Sequence, residues 1–141
     1  MDKILVVYFS ATGVTKRLAE KIANTLNADI FEIQPKVQYT NEDIRWAQKG
    51  NRAFVEMKNK KYRPGVLRKL NNADEYDTVF IGFPIWYDTA PTIVNTFLEE
   101  NNLNGKNAYI FATSGATSVD RSLKDLSKAY PNISFCRCKK I

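Results

Sequence analysis

Residues 3–15, KILVVYFSATGVT, decide how the chain is read. The run Ile4 to Phe9 is apolar throughout and rich in β-branched residues, the pattern of a strand buried on both faces of a parallel sheet. It stops at Ser10, Ala11, Thr12, Gly13, Val14 and Thr15, a turn of hydroxyls around one glycine. A helical period follows at once, with Val14, Leu18, Ile22 and Leu26 recurring every four residues beside Ala19 and Ala23. A strand feeding such a turn at a helix start leaves backbone N–H groups unpaired and favours an anion, so the turn suits a phosphate monoester even without a lysine. The competing reading is an ordinary hydroxyl turn with a helix cap. The single glycine excludes both the Walker loop and the GxGxxG fingerprint.

Outward from this segment, strands and helices alternate. The sequence predicts a helix from Thr15 to Leu26 stopped at Asn27, and a strand from Asp29 to Ile33 ended by Pro35. Thr40 followed by Asn41, Glu42 and Asp43 predicts a helix start reaching Lys49, and a second short helix is expected over Arg52 to Lys60. Thr78 to Phe83 reads as a strand ended by Pro84, and Thr89 and Thr92 as candidate caps of a helix carrying Ile93, Val94, Phe97 and Leu98. Asn107 to Ala112 is the next strand, Val119 to Tyr130 the next helix, and Ile133 to Cys136 the fifth strand. Five strands alternating with helices predict one α/β domain over residues 1–141, a doubly wound parallel sheet. No further helix is read after the fifth strand, so a neighbouring helix, a second copy in a homodimer or sequence beyond Ile141 is needed to cover that sheet face.

Composition narrows the chemistry. There is no histidine, so His-based catalytic dyads are excluded and a typical zinc site is not expected. Cys136 and Cys138 have the spacing CRC rather than CxxC. No apolar run approaches a membrane span, and no basic-then-apolar leader opens the sequence, so a cytoplasmic protein with no membrane partner is expected. The net charge of +6 is uneven: residues 36–70 hold ten Lys or Arg against three acids, a net of +7, and the remainder nets −1. This basic, insert-like connection, roughly residues 36–72, reads either as a solvated face or as a landing site for an acidic partner or a nicotinamide phosphate. No nucleic-acid recognition motif accompanies it.

Three loops follow strands and therefore share the carboxyl edge of the sheet, where open α/β folds bind ligands. The first is Ser10 to Thr15. The second, Pro84, Ile85, Trp86, Tyr87 and Asp88, offers two large aromatics to a flat ligand and one carboxylate as acceptor; alternatively the aromatics plug the core and Asp88 caps a turn. The third, Thr113 to Ser118, offers hydroxyls and the Gly115 backbone, or simply turns. Together they describe a ligand with a phosphate at one end and a flat polar ring at the other.

The segments VVYFSATGVT, TVFIGFPIWYDTAP and GKNAYIFATSG resemble the flavodoxin-like family, and more closely its short bacterial branch of stand-alone flavodoxin domains. The stretch YTNEDI…NRAFVEMKN…RP is similar to the long connection between the second and third strands in that branch. The resemblance implies strand order 2-1-3-4-5 and the cofactor FMN at the switch point between strands 1 and 3, for which flavodoxin is the standing example. It implies phosphate binding by Ser10, Ala11, Thr12, Gly13, Val14 and Thr15. It further implies a ring bordered by Pro84, Ile85, Trp86, Tyr87 and Asp88 and, on its other edge, by Thr113, Ser114 and Gly115. The chain departs from the family pattern at Val14, at Tyr87-Asp88, at Ala116, in its basic charge and in the absent last helix.

The function implied is an FMN-binding electron carrier or oxidoreductase, with a redox partner protein or a small-molecule donor or acceptor as partner. Two alternatives stand beside it. One is an NAD(P)H-dependent quinone or flavin reductase using Arg45, Lys49, Arg52 or Lys58 for the nicotinamide phosphate. The other is a non-redox interaction domain on the same fold.

Overall fold

The computed structural model describes residues 3–44, 50–87, 89–113 and 119–138. Five strands form one parallel sheet: β1 (Ile4–Tyr8), β2 (Asp29–Glu32), β3 (Thr78–Pro84), β4 (Asn107–Thr113) and β5 (Ser134–Arg137), in the order β2-β1-β3-β4-β5. Helices α1 (Val14–Leu26), α2 (Arg52–Lys58), α3 (Thr92–Glu100) and α4 (Asp120–Ala129) lie in the connections. Among the described residues no helix follows β5.

Alternation along the strands builds two cores. Leu5, Val7, Val79, Ile81, Phe83, Ala108 and Ile110 face one side, where Ile93, Val94, Phe97 and Leu98 of α3 and Leu126 of α4 are buried with them. Val6, Tyr8 and Phe111 face the other, against Ala19, Ile22 and Ala23 of α1. Each fully buried Leu, Ile or Phe contributes about 1.5–3 kcal/mol, so the first and larger cluster dominates stability. On the α1 side, Phe80 and Tyr109 stack at 5.2 Å, and the Phe111 ring lies over Gly82, where a Cβ would sit 2.1 Å from it. That close approach is why β3 carries a glycine in an otherwise apolar run.

α1 ends as the sequence predicts: Asn27 adopts the left-handed conformation (φ 52°) and the Ala28 N–H donates to Ala23 O. Its first residue differs, because Val14 is 47% exposed and stands outside the apolar stripe it was expected to begin. The expected caps of α3 also differ. The helix starts at Thr92 behind Pro91 with no side-chain cap, and Thr89 donates instead to Asp125 of α4 (2.7 Å). Pro91 itself occupies the N-cap position (φ −59°, ψ 146°), so no side-chain oxygen stands where a cap would. Thr40 and Asp43 do make the reciprocal bonds of a helix start, but residues 41–44 form turns, and the expected continuation through 45–49 lies outside the described residues.

The long connection from β2 to β3 is pinned at its base. Pro35 and Val66 form an isolated antiparallel bridge, flanked by Lys36 N–H to Gly65 O (2.9 Å) and Leu67 N–H to Gln34 O (2.8 Å). Closure entropy grows slowly with length, by about 0.6 kcal/mol per doubling, so a short stem closes even this long connection at little extra cost.

Candidate functional site

The first loop is held by its own backbone. The Gly13 N–H donates to Ser10 Oγ (3.0 Å), and Gly13 O accepts the first helical bond from Arg17 (3.1 Å). Gly13 does so at φ 94°, a conformation that L residues avoid. α1 therefore begins with no capping side chain and no acid in its first turn. Lys16 and Arg17 stand there instead, against the preference for negative charge at a helix start. That inversion is readable in the sequence and stands as a second signal beside the hydroxyl-and-glycine turn. Thr12 is exposed, Ala11 packs on the core, and Val14 points to solvent. Thr15 is 2% exposed, with its Oγ1 2.7 Å from Thr113 Oγ1, so it joins the first loop to the start of the third.

The second loop is a tight reversal. Trp86 and Thr89 exchange both backbone hydrogen bonds (2.9 and 3.2 Å), and Tyr87 takes φ 49° between them. A left-handed non-glycine residue costs about 1–3 kcal/mol and persists only where the surroundings hold it. Pro84 pairs with Thr113 in the sheet and the Ile85 N–H donates to Thr113 O (3.3 Å), so the second and third loops leave the sheet side by side. Trp86 is half-buried: its ring meets Phe9 at 5.5 Å and Tyr39 at 5.1 Å, both edge-on. Tyr87 is 40% exposed and meets Phe54 of α2 edge-on at 5.7 Å. Asp88, Ser114 and Gly115 lie outside the described residues.

Sequence reading missed the residues that hold these aromatics. Tyr39, on the long connection, packs on Phe9 and Trp86, and its hydroxyl donates to Glu56, itself only 4% exposed. Burial first, and then the bond to Glu56, push the Tyr39 phenol well above its ordinary value. Arg52 closes the group: its guanidinium lies 3.7 Å over the Tyr39 ring, donates to Glu56 (2.8 Å), and reaches Val37 O (2.7 Å) and Gln38 O (3.1 Å). Arg52 is thus committed inside the protein, and Lys58 sits 5.9 Å over the Phe54 ring. Arg45 and Lys49 lie outside the described residues.

The first two loops thus meet at the carboxyl edge of a doubly wound sheet, between β1 and β3, where open α/β folds bind ligands, with an uncapped helix start on one side and aromatics on the other. The sequence model of the flavodoxin family matches residues 3–141, and the chain belongs to that family. It is 46% identical to a candidate flavoprotein from Bacteroides eggerthii whose crystal structure superposes with TM-score 0.94, covering 97% of this chain and 86% of that one. A candidate flavoprotein from Bacteroides uniformis is 45% identical, with TM-score 0.93 over 96% of this chain and 87% of that one. A flavoprotein from Lactobacillus acidophilus, solved in complex with FMN, is 21% identical, with TM-score 0.77 over 97% of this chain and 91% of that one; at that identity the likeness speaks for the fold. Among curated proteins no match was found. No described helix is long and apolar enough to cross a membrane, and no described group of three His, Cys, Asp or Glu is placed to hold a metal.

Proposed function

We propose that the chain is an FMN-binding electron carrier or oxidoreductase of the flavodoxin type. The observation that carries this reading is the start of α1. It lies behind a left-handed Gly13 at the β1/β3 switch point, uncapped, without an acid, and flanked by Lys16 and Arg17. A dianion there satisfies the free N–H groups and relieves the unfavourable placement of two cations at a positive helix end.

The residues present fit FMN. Backbone N–H groups from Val14 through Lys16 and the Ser10 and Thr12 hydroxyls are the phosphate donors, with Ala11 contributing backbone, Gly13 shaping the turn through its bond to Ser10, and Thr15 bracing the loop through Thr113. Pro84, Ile85, Trp86 and Tyr87 border the ring on one side and Thr113 on the other; the family resemblance adds Asp88, Ser114 and Gly115, which lie outside the described residues. When bound, FMN supplies one- and two-electron redox chemistry. The chain orients it, excludes water with Trp86 and Tyr87, and presents backbone groups to its polar edge. No side chain is assigned a general acid or base role.

The relatives described as flavoproteins, one of them solved with FMN, support the same reading. The absorption spectrum of the purified protein tests it. A flavin band that co-purifies, or is regained on adding FMN, and bleaches on anaerobic reduction is the expected result. A protein that takes up no FMN at millimolar concentration overturns it and leaves the interaction-domain reading.

A further inference from the structure

Exposed apolar residues gather around α2. Among the described residues, Val37, Val55, Tyr62 and Tyr87 are each at least 40% exposed. Val55 and Tyr62 line a groove of about 370 Å³ on the outer side of α2, with Arg52, Glu56 and Asn59. The Val37 carbonyl accepts from Arg52 (2.7 Å), which brings Val37 to the same groove. Phe54, next to Val55 in α2, meets Tyr87 edge-on at 5.7 Å, so the apolar surface continues to the aromatic loop. Apolar residues exposed singly need no explanation, but a contiguous patch rimmed by polar groups marks an interaction surface.

The rim of this patch is positive. Residues 50–63 carry five Lys or Arg and one acid, Glu56, so no second carboxylate in the segment offsets them. Glu56 is buried and engaged by Arg52 and Tyr39, and Arg63 is engaged by Glu99. Lys58, Lys60 and Lys61 are left exposed, without a carboxylate partner among the described residues. Lys58 lies 5.9 Å over the Phe54 ring, so positive charge stands beside the very ring that meets Tyr87. Lysines alone read as a solvated face. Here they flank exposed valines and tyrosines, which water solvates poorly.

We propose that the outer face of α2, together with Tyr87, docks an acidic redox protein that carries carboxylates around an apolar centre. That the partner carries electrons rests on the flavin reading, in which Tyr87 borders the ring as well as this patch. A small apolar centre inside a charged rim suits electron-transfer encounters, whose interfaces lie below about 1,200 Å². The positive rim steers an acidic protein towards the ring loop and repels a basic one. A membrane surface fits less well, because Val55 and Tyr62 line a groove, whereas insertion among lipids needs a protruding apolar face.

Amide chemical shifts of the full chain, followed by NMR while an acidic plant-type [2Fe–2S] ferredoxin is added with and without FMN, test the proposal. Saturable shifts or broadening at Val37, Val55, Lys58, Tyr62 and Tyr87 are expected in both forms. The dissociation constant is about 0.1 mM or lower at about 20 mM ionic strength and at least about tenfold higher at about 0.3 M. Lys60→Gln combined with Lys61→Gln weakens binding by about fivefold or more and flattens its salt dependence. Val55→Ser combined with Tyr62→Ser weakens it by about as much and leaves the salt dependence as it was. Both variants keep the parent's affinity for FMN. In stopped flow, one electron passes from the reduced cluster to the bound flavin, and the rate falls as salt is added. Docking without any uptake of FMN leaves the surface standing and removes the flavin reading. No binding of the ferredoxin, shifts elsewhere on the chain, equal or tighter binding of the basic protein cytochrome c, or variants that bind like the parent each overturn the proposal. So does uptake of the protein by phosphatidylserine vesicles through these same residues.

Discussion

The loop after β1 is shaped by its own residues, whereas the loop after β3 is shaped by residues far away in sequence. Gly13 bonds Ser10 three positions earlier, and its positive φ is a property glycine brings by itself. Trp86 and Tyr87 instead take their places from Tyr39 and Phe54, on the connection between β2 and β3, and from Phe9 under them. The phosphate end of the site is therefore a local motif, and the ring end is a tertiary assembly. The basic connection also gains a role through this difference. It carries much of the positive charge, yet Arg52, at its centre, is used to clamp Tyr39 and buried Glu56 beneath the aromatic loop.

Substitutions at the two ends should therefore fail differently. The largest effect is expected for Gly13→Val. A β-branched residue at φ 94° costs about 1–3 kcal/mol, and the turn escapes that cost by rearranging the donors that hold phosphate. FMN affinity should fall by roughly 30- to 100-fold in a fluorescence titration, and affinity equal to the parent's contradicts the local-motif description. Next is Tyr39→Phe, which keeps the ring and removes the bond to Glu56. Leaving that buried carboxylate short of a partner costs about 1–3 kcal/mol, read as a lower urea midpoint, with the affinity for riboflavin falling alongside that for FMN. A variant that lost affinity for FMN alone would mean that Tyr39 serves the phosphate end.

Ser10→Ala removes the acceptor of the Gly13 N–H and costs about 1 kcal/mol, chiefly in FMN affinity and little in that of riboflavin. The smallest effect belongs to Glu99→Gln, remote from both loops. The hydrogen bond from Arg63 holds the Glu99 carboxyl below its ordinary value, so its contribution is present at neutral pH and is lost as pH falls through the lowered value. The carboxylate is part-exposed, so the difference at neutral pH is about 0.2–1 kcal/mol and should vanish in acid; a difference that grows in acid has the wrong sign. It calibrates how much of any loss at the loops is mere stability.

What was legible in the sequence follows the same division. The five strands, the α1 stop at Asn27 and the turn at Gly13 depend on alternation and local backbone preference, which a single sequence displays, whereas the strand order was implied by the family resemblance. The exposure of Val14 depends on what stands opposite, as do the roles of Thr89, Tyr39 and Glu56, whereas the start of α3 behind Pro91 is a local feature. Tyr39 lay in the least regular stretch, and nothing in its neighbours announces that it meets Trp86. Glu56 and Arg52 have the i,i+4 spacing of a helical ion pair, which marks a solvated face as readily as a buried clamp.

The most direct measurement is a calorimetric comparison of FMN with riboflavin on the cofactor-free protein. If the start of α1 holds the phosphate and the aromatic loop holds the ring, FMN binds at least about 100-fold more tightly, and Ser10→Ala narrows that gap. Equal affinities for the two flavins, or none for either, contradict a phosphate site between Ser10 and Thr15.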